Sequence, residues 1–128
     1  MLIRNVQWKD FMQIQEIYTS TYEENRDTET LGIVFLKNKP DIKSEIKWFT
    51  DTYIRVLKKE GILMVAEDNN KIAGYCGILS ARPDSESAHV GILGILIKKE
   101  YRGKGFGTAL LRSSIENSKG IFEKIICF

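Results

Sequence analysis

The distribution of apolar and polar residues predicts a short strand followed by a helix at the start of the chain. The segment Met1–Val6 is short and largely apolar, which is typical of an extended start. After it, apolar side chains recur at helical spacing at Phe11, Ile14, Tyr18 and Tyr22. From Asn25 to Pro40 this periodicity is lost, so we expect a loop or short extended piece there, with the apolar cluster Leu31–Leu36 on the substrate side.

A second helix and a hairpin are predicted next. Asp41 can cap a helix, because its carboxylate can accept from the free N–H groups of the first turn, and Gly61 is expected to end that helix. The apolar residues of the helix fall on one face: Ile42, Ile46, Phe49, Tyr53 and Leu57. The apolar runs Ile62–Glu67 and Lys71–Ala81 then predict two strands, which Asp68-Asn69-Asn70 joins in a tight turn.

The third part of the chain predicts a central strand, a helix and a last strand. After a loop at Arg82–Ser87, the segment Ala88–Lys98 is apolar on both parities, as expected of a strand covered on both faces. Gly91 and Gly94 interrupt this strand, and such glycines mark a bulge or the close approach of another group, here a ligand. A third helix ends near Gly120, and the predicted order is β-α-α-β-β-β-α-β.

The last predicted strand, Phe122–Phe128, runs to the end of the sequence. Natural termini are usually polar and loosely held, so we expect residues 1–128 to be one domain truncated within its fifth strand. The alternative is that another chain supplies the closing strands, as in a homodimer, because an apolar unpaired strand favours pairing.

A glycine-rich turn between the central strand and the third helix carries the clearest functional signal. Gly103, Gly105 and Gly107 alternate at a helix start, where uncovered backbone N–H groups attract phosphate oxygens. The sequence lacks the GxGxxG pattern of dinucleotide folds, and it lacks the GxxxxGK pattern followed by Ser or Thr of nucleotide triphosphatases. A turn that only joins strand to helix is the simpler alternative.

Composition narrows the class of protein. The net charge of +2 does not indicate a nucleic-acid partner, although Lys98, Lys99, Arg102 and Lys104 gather positive charge at the loop, either for phosphate steering or as a solvated face. Cys76 and Cys127 have no metal-ligand spacing, so we expect two buried thiols and no metal. No signal peptide or membrane-length apolar run is visible, and a cytoplasmic location is the expectation.

The loop and its flanks carry a family resemblance. The run from Ile95 through Leu111 resembles the signature of the GNAT superfamily of N-acetyltransferases, with Arg102, Gly105 and Gly107 at the positions of its Arg or Gln, two residues, Gly, one residue, Gly or Ala. The resemblance covers essentially the whole chain. It implies a mixed, mostly antiparallel α/β sheet flanked by helices, and an enzyme that moves an acetyl group from acetyl-CoA directly to a primary amine.

The resemblance also implies a cofactor site. It places the pyrophosphate of acetyl-CoA on N–H groups of the loop and first helical turn: Arg102, Gly103, Lys104, Gly105, Phe106, Gly107 and Thr108. Pantetheine would pair with the backbone of Ile95, Leu96 and Ile97 once the central strand splays from the last one at a bulge near Gly94. An N–H of Ile95 or Leu96 could then stabilise the oxyanion.

The sequence indicates the catalytic groups less clearly than the cofactor site. Family members often carry a Glu where this chain has Ile92, so His89 is the candidate base, because histidine can exchange a proton near neutral pH. The alternative is a histidine that fixes the strand end. Glu67, Glu86 and Tyr75 are fallback members of a water relay, and in the family the general acid is frequently a Tyr beyond the last strand seen here. A cofactor-binding or interaction module without catalysis is the second functional hypothesis, and the acceptor amine is open.

Overall fold

We describe a computed structural model of the chain over residues 1–28, 41–80 and 89–127. Its elements follow the predicted order, with one short 3-10 turn at Trp8–Asp10 and another at Lys99–Tyr101. The strands and helices are β1 Leu2–Asn5, α1 Phe11–Thr28, α2 Ile42–Leu57, β2 Ile62–Asp68, β3 Lys71–Ser80, β4 Val90–Ile97, α3 Phe106–Ser118 and β5 Lys124–Cys127. In these ranges no helix is long and apolar enough to cross a membrane.

The five strands form one sheet in the order β1-β2-β3-β4-β5. The first four strands pair antiparallel, whereas β4 and β5 pair parallel. The parallel pair follows from helix α3, which carries the chain back across the sheet, as a parallel connection requires. The predicted mixed, mostly antiparallel sheet is confirmed.

The two faces of the sheet bury two different sets of side chains. Leu63 and Val65 of β2 pack with Ile14 and Phe49 in the cluster under α1 and α2. Met64 and Ala66 pack instead with the cluster that contains Leu110 of α3. Because neighbouring residues of a strand point to opposite faces, a strand buried on both sides must be apolar throughout. This explains the continuous apolar run of β2.

The β2–β3 hairpin confirms its sequence prediction. Asn69 and Asn70 both have positive φ angles, 50° and 67°, which is the conformation of the two central residues in a type I′ turn. The backbone twist of this turn matches that of the paired strands. Asparagine tolerates the left-handed region better than most residues, so the local sequence sets the register of the hairpin.

Helix α2 begins as predicted but ends differently. The Asp41 carboxylate accepts from the Ser44 backbone N–H at 3.4 Å and from its hydroxyl at 2.9 Å. The helix ends at Leu57, and Lys59, not Gly61, takes the left-handed conformation with φ 61°. Gly61 serves packing instead, because a Cβ there would lie 2.6 Å from the Leu79 side chain.

The predicted apolar face of α2 is covered only in part. Phe49 is 1% exposed, whereas Ile42 and Ile46 are each 49% exposed and Leu57 is 66% exposed. Helical periodicity identified the face correctly but could not tell how much of it another element covers.

Three further predictions are corrected. Helix α1 continues to Thr28, past the break expected at Asn25. Cys76 is a buried free thiol, but Cys127 is exposed on β5. The group that approaches Gly91 closely belongs to the protein itself, since a Cβ there would lie 2.7 Å from Ile78 and 2.9 Å from the Phe122 ring. The predicted pieces at Leu31–Leu36 and Arg82–Ser87, including Glu86, lie outside the described residues.

The packing at Gly91 gives a stability prediction. Gly91→Ala should lower the free energy of unfolding by about 1 to 3 kcal/mol, because the added methyl overlaps two packed side chains. Gly120→Ala is the matched control: a Cβ there meets nothing within 4 Å, so its effect should stay within about 0.5 kcal/mol. Urea unfolding of both variants measures this, and equal effects would contradict the packing account.

Candidate functional site

The glycine loop is held between β4 and α3 by a turn and an aromatic contact. Lys99–Tyr101 forms a single 3-10 turn directly after β4. The Tyr101 ring then packs edge-on against Phe106, with ring centroids 5.3 Å apart, and Phe106 is buried against the α3 face of the sheet. Both aromatic side chains therefore anchor the loop from below and leave its backbone at the surface.

Two glycines of the loop are required by backbone conformation. Gly103 and Gly105 have φ angles of 76° and 89°, in the left-handed region that other residues rarely adopt. A Cβ at either position would meet no atom within 4 Å, so packing does not explain them. The loop is thus an open, left-handed turn whose backbone can be approached closely from outside.

A row of backbone donors follows from this conformation. The first N–H to enter the hydrogen bonding of α3 is that of Ala109, which donates to the Gly105 carbonyl at 3.1 Å. Within the described ranges, no backbone carbonyl accepts from the N–H groups of Gly103 through Thr108. The first turn of α3 also contains no acidic residue. An anion at this helix end would meet free donors and the positive end of the helix dipole.

Arg102 is tied to helix α1 and is not directed at an external anion. Its Nη1 and Nη2 atoms donate to the two carboxylate oxygens of Glu24 at 2.9 and 2.7 Å. Its Nε atom donates to the Ile97 carbonyl at 3.0 Å. The paired guanidinium holds the pKa of Glu24 below its ordinary value. The backbone N–H of Arg102 is also used, since it donates to the Lys99 carbonyl at 3.3 Å.

Of the four cationic residues predicted at the loop, two are paired with carboxylates and two are exposed. Lys98 lies 3.4 Å from Glu16 and 3.5 Å from Glu100, so both Lys98 and Arg102 have carboxylate partners within the protein. Lys99 and Lys104 are exposed beside the loop. These two lysines are the better candidates for attracting an anionic ligand.

Only some residues of β4 direct their backbone groups to its open edge, where a ligand could pair with them. Lys98 N–H donates to the Ala73 carbonyl at 2.8 Å, and Leu96 lies opposite Tyr75 in the same register. By antiparallel alternation, Leu96 directs its backbone groups to β3, whereas Ile95 and Ile97 direct theirs to the other edge. Of the predicted three, Ile95 and Ile97 therefore have backbone groups on the open side.

The bulge expected at Gly94 is absent from the β3–β4 pairing. Gly94 lies opposite Gly77 in an uninterrupted register from Gly74↔Ile97 to Ser80↔Gly91. On the other side, β5 pairs only with Val90–Leu93. In the described part of the chain, the edge of β4 beyond Leu93 has no strand partner.

His89 lies at the opposite end of β4 from the glycine loop. Its side chain is exposed, and its backbone carbonyl accepts from the Glu123 N–H at 2.9 Å. It is six residues from Ile95, which corresponds to about 20 Å along a strand. A proton could pass between these two places only through intervening water or substrate groups.

The fallback relay residues are not grouped around His89. Glu67 pairs with Arg4 at 3.4 Å, on the β1–β2 side of the sheet. Tyr75 is buried under α1 and α2, and this burial raises the pKa of its hydroxyl. No cluster of three or more His, Cys, Asp or Glu residues that could hold a metal ion occurs in residues 1–28, 41–80 and 89–127.

Comparison with known proteins identifies the family signature and the fold. The model of the acetyltransferase (GNAT) family matches residues 8–127. A Bacillus subtilis (strain 168) protein, provisionally named a ribosomal-protein-alanine N-acetyltransferase, is 35% identical over 74 residues. That match covers 56% of this chain and 46% of the relative, so the matched part spans about half of the relative's length.

Two solved structures show how far the fold extends. A ribosomal-protein-alanine N-acetyltransferase from Brucella melitensis superposes with a TM-score of 0.79 at 22% identity, covering 99% of this chain and 73% of its own. A phosphinothricin acetyltransferase from Sinorhizobium meliloti, in complex with AcCoA, gives 0.77 at 22% identity, covering 98% and 64%. At this level of identity the likeness establishes the fold.

The Arg102–Glu24 pair gives a pH-dependent prediction. Glu24→Gln should lower the free energy of unfolding by about 1 kcal/mol at neutral pH, because the amide cannot form the bidentate charged pair. The pair lowers the pKa of Glu24 from its ordinary 4.5, so its contribution is complete above pH 4.5 and is lost as the pH falls through the lowered pKa.

The difference between the wild-type and variant proteins should therefore shrink below pH 4.5. Denaturant unfolding at several pH values measures it. Glu23→Gln, at the exposed neighbouring position, is the control and should show little effect. A difference that stays constant down to low pH would contradict the ion-pair account.

Proposed function

The chain belongs to the acetyltransferase (GNAT) family. From that membership we propose that it acts as an N-acetyltransferase, which moves an acetyl group from acetyl-CoA to a primary amine by direct transfer. The observation that carries this proposal is a row of backbone N–H groups, Gly103 to Thr108, to which no backbone carbonyl of the described residues is bonded. The row follows one 3-10 turn after the edge of β4 that has no strand partner in those residues. A phosphate cradle adjoining a strand edge suits a ligand with a pyrophosphate and an amide-containing arm. The acetyl-CoA complex of the Sinorhizobium relative supports the same cosubstrate.

In this proposal the loop binds the pyrophosphate through Gly103, Lys104, Gly105, Phe106, Gly107 and Thr108. Arg102 contributes by positioning the loop, because its side chain is bonded to Glu24 and to the Ile97 carbonyl. Ile95 and the N–H of Ile97 offer backbone groups that can pair with the amides of pantetheine, whereas the Ile97 carbonyl already accepts from Arg102 Nε. Leu96 contributes its buried side chain beneath that edge.

The same edge can stabilise the developing negative charge. Transfer passes through a tetrahedral intermediate, and in this proposal the Ile95 N–H on the open edge of β4 donates to its oxygen. In other acyl-transfer enzymes the loss of one such donor costs about 3 to 4 kcal/mol. Because β3 fixes Ile95 from behind, this donor would need little rearrangement on ligand binding.

Proton transfer is the remaining requirement. The amine nitrogen must be neutral when it attacks, must lose a proton as the C–N bond forms, and the departing thiolate must gain one. We retain His89 as the candidate base, acting through water along the β4 edge. The alternative is that His89 only fixes the start of β5, through a backbone carbonyl bond to the Glu123 N–H that does not involve the imidazole.

The proposed acceptor is an α-amine. The name of the Bacillus relative, matched at 35% identity, refers to alanine of a ribosomal protein. An α-amine has a pKa near 8 and is partly neutral at physiological pH, whereas a lysine side chain near 10.4 needs several kcal/mol more for deprotonation. A site without a strong base therefore favours the α-amine.

A cytoplasmic location is part of the proposal. Cys76 and Cys127 are both free thiols in the structure, which suits a reducing compartment.

The N–H row can be tested at a single donor. Gly107→Pro removes the N–H of the second residue of α3, where helix geometry does not use it, and should weaken CoA binding about tenfold or more. Gly107→Ala is the control, because it keeps the N–H and its Cβ makes only an ordinary 3.7 Å contact with Ile97. Calorimetric titration with CoA measures both. Equal affinities in two folded variants would argue against the loop as the pyrophosphate site.

The acceptor can be tested with blocked peptides. A peptide that begins with alanine and contains one lysine should be acetylated at its α-amine, with a rate that rises as the pH passes about 8, because the neutral amine is the nucleophile. Blocking the α-amine should abolish release of free CoA, and blocking the lysine should not. Thiol release and mass spectrometry measure these outcomes. CoA binding without turnover of any amine would instead identify a non-catalytic module.

A further inference from the structure

Glu45, in the first turn of α2, carries a carboxylate oxygen without a hydrogen bond. Its Oε2 atom accepts from the Gln15 side chain of α1 at 3.3 Å. Its Oε1 atom is buried and has no hydrogen-bond partner among the described residues. A carboxylate can accept several hydrogen bonds, and a buried oxygen left without one is unfavourable. The described residues therefore supply no donor for this oxygen.

The surroundings of Glu45 are rich in phenol oxygens and aromatic rings. The charge of Glu45 contributes to raising the pKa of both the Tyr18 and the Tyr75 hydroxyl, so all three groups are close enough to interact. Burial, which is the larger cause at each tyrosine, also raises the pKa of Glu45 itself. The Trp48 ring lies beside Tyr75, with centroids 6.5 Å apart. Carboxylate, phenol and aromatic face together are the environment that proteins use for cations.

This cluster lies next to the strand that is proposed to hold the cofactor. Tyr75 of β3 is directly opposite Leu96 of β4, between the two residues whose backbone faces the open edge. Tyr75 and Leu96 also share the buried cluster under α1 and α2. The Glu45 site is therefore on the α1–α2 face of the sheet, one strand away from the proposed thioester position.

A surface cavity along α1 shares one residue, Gln15, with this site. Gln15, the hydrogen-bond partner of Glu45, lines a surface cavity of about 430 Å³. Its wall also includes two acidic side chains, Glu16 and Glu23. Glu16 lies 3.4 Å from Lys98, so the negative charge of this wall comes mainly from Glu23, which favours a positively charged ligand over an anionic one.

We propose that Glu45 binds the ammonium group of the acceptor, with Tyr18 and Tyr75 beside it, so that the acceptor class is an amine that arrives as a cation. This inference rests on the proposed acetyl transfer, for which it names the amine subsite. Glu45 is thus a binding residue for the acceptor, and the CoA site at the loop does not depend on it.

The test measures peptide binding to the CoA-saturated protein. The probes are a short alanine-initiated peptide and the same peptide with its α-amino group replaced by hydrogen. Glu45→Gln keeps the shape and the Gln15 contact region but removes the charge. It should weaken binding of the amino peptide about tenfold or more. It should leave the affinities for the des-amino peptide and for CoA unchanged. Glu60→Gln, at an exposed position beyond α2, is the matched control and should change none of the three affinities.

Each alternative outcome separates this inference from the proposed function. If the wild-type protein binds no CoA, the proposed function itself fails. If CoA binds but the wild type does not distinguish the two peptides, or binds neither, the amine subsite is wrong. Equal weakening of both peptides by Glu45→Gln would show a structural role and would overturn the inference. Thermal unfolding should show a folded Glu45→Gln protein, because the variant removes a poorly solvated charge.

Discussion

The uninterrupted antiparallel pairing of β3 with β4 holds both halves of the candidate site in place. Its register fixes Leu96 opposite Tyr75, and the alternation of hydrogen bonds then turns the backbone of Ile95 and Ile97 to the other edge. Because β4 is apolar on both faces, its hydrophobic pattern does not fix this register, but the close packing at Gly74 does: a Cβ there would lie 2.5 Å from the Ile97 side chain. The pairing of β4 with β3 on one edge therefore holds in place the other edge, which could bind a ligand.

The glycine loop depends on this strand for its position and on α1 for its orientation. Tyr101 and Phe106 pack beneath the loop, and Arg102 bonds simultaneously to the end of β4 and to Glu24 of α1. The signature arginine therefore acts inside the protein, whereas the glycines expose the backbone. By this division, Arg102 can position the loop proposed to bind phosphate without touching the phosphate itself.

Local patterns in the sequence predicted the local features of the structure. Asn69 and Asn70 predicted the hairpin and Asp41 the start of α2, because turn and cap geometry involve neighbouring residues. The sequence could not predict the Arg102–Glu24 pair or the Gln15–Glu45 contact, since residues distant in the chain leave no periodic signal. The prediction of a bulge at Gly94 was wrong for a related reason. A glycine within a strand can serve a bulge or a close approach, and only the residues that pack across it decide between the two.

Helix α1 connects the loop to the face that carries Glu45. Gln15 and Glu24 are nine residues apart, or 2.5 turns, so they point to nearly opposite sides of the helix. One contacts Glu45 of α2, and the other holds Arg102 at the loop. If the loop binds the cofactor and Glu45 the acceptor, the two substrates are positioned against a single rigid element, which is what direct transfer between them requires.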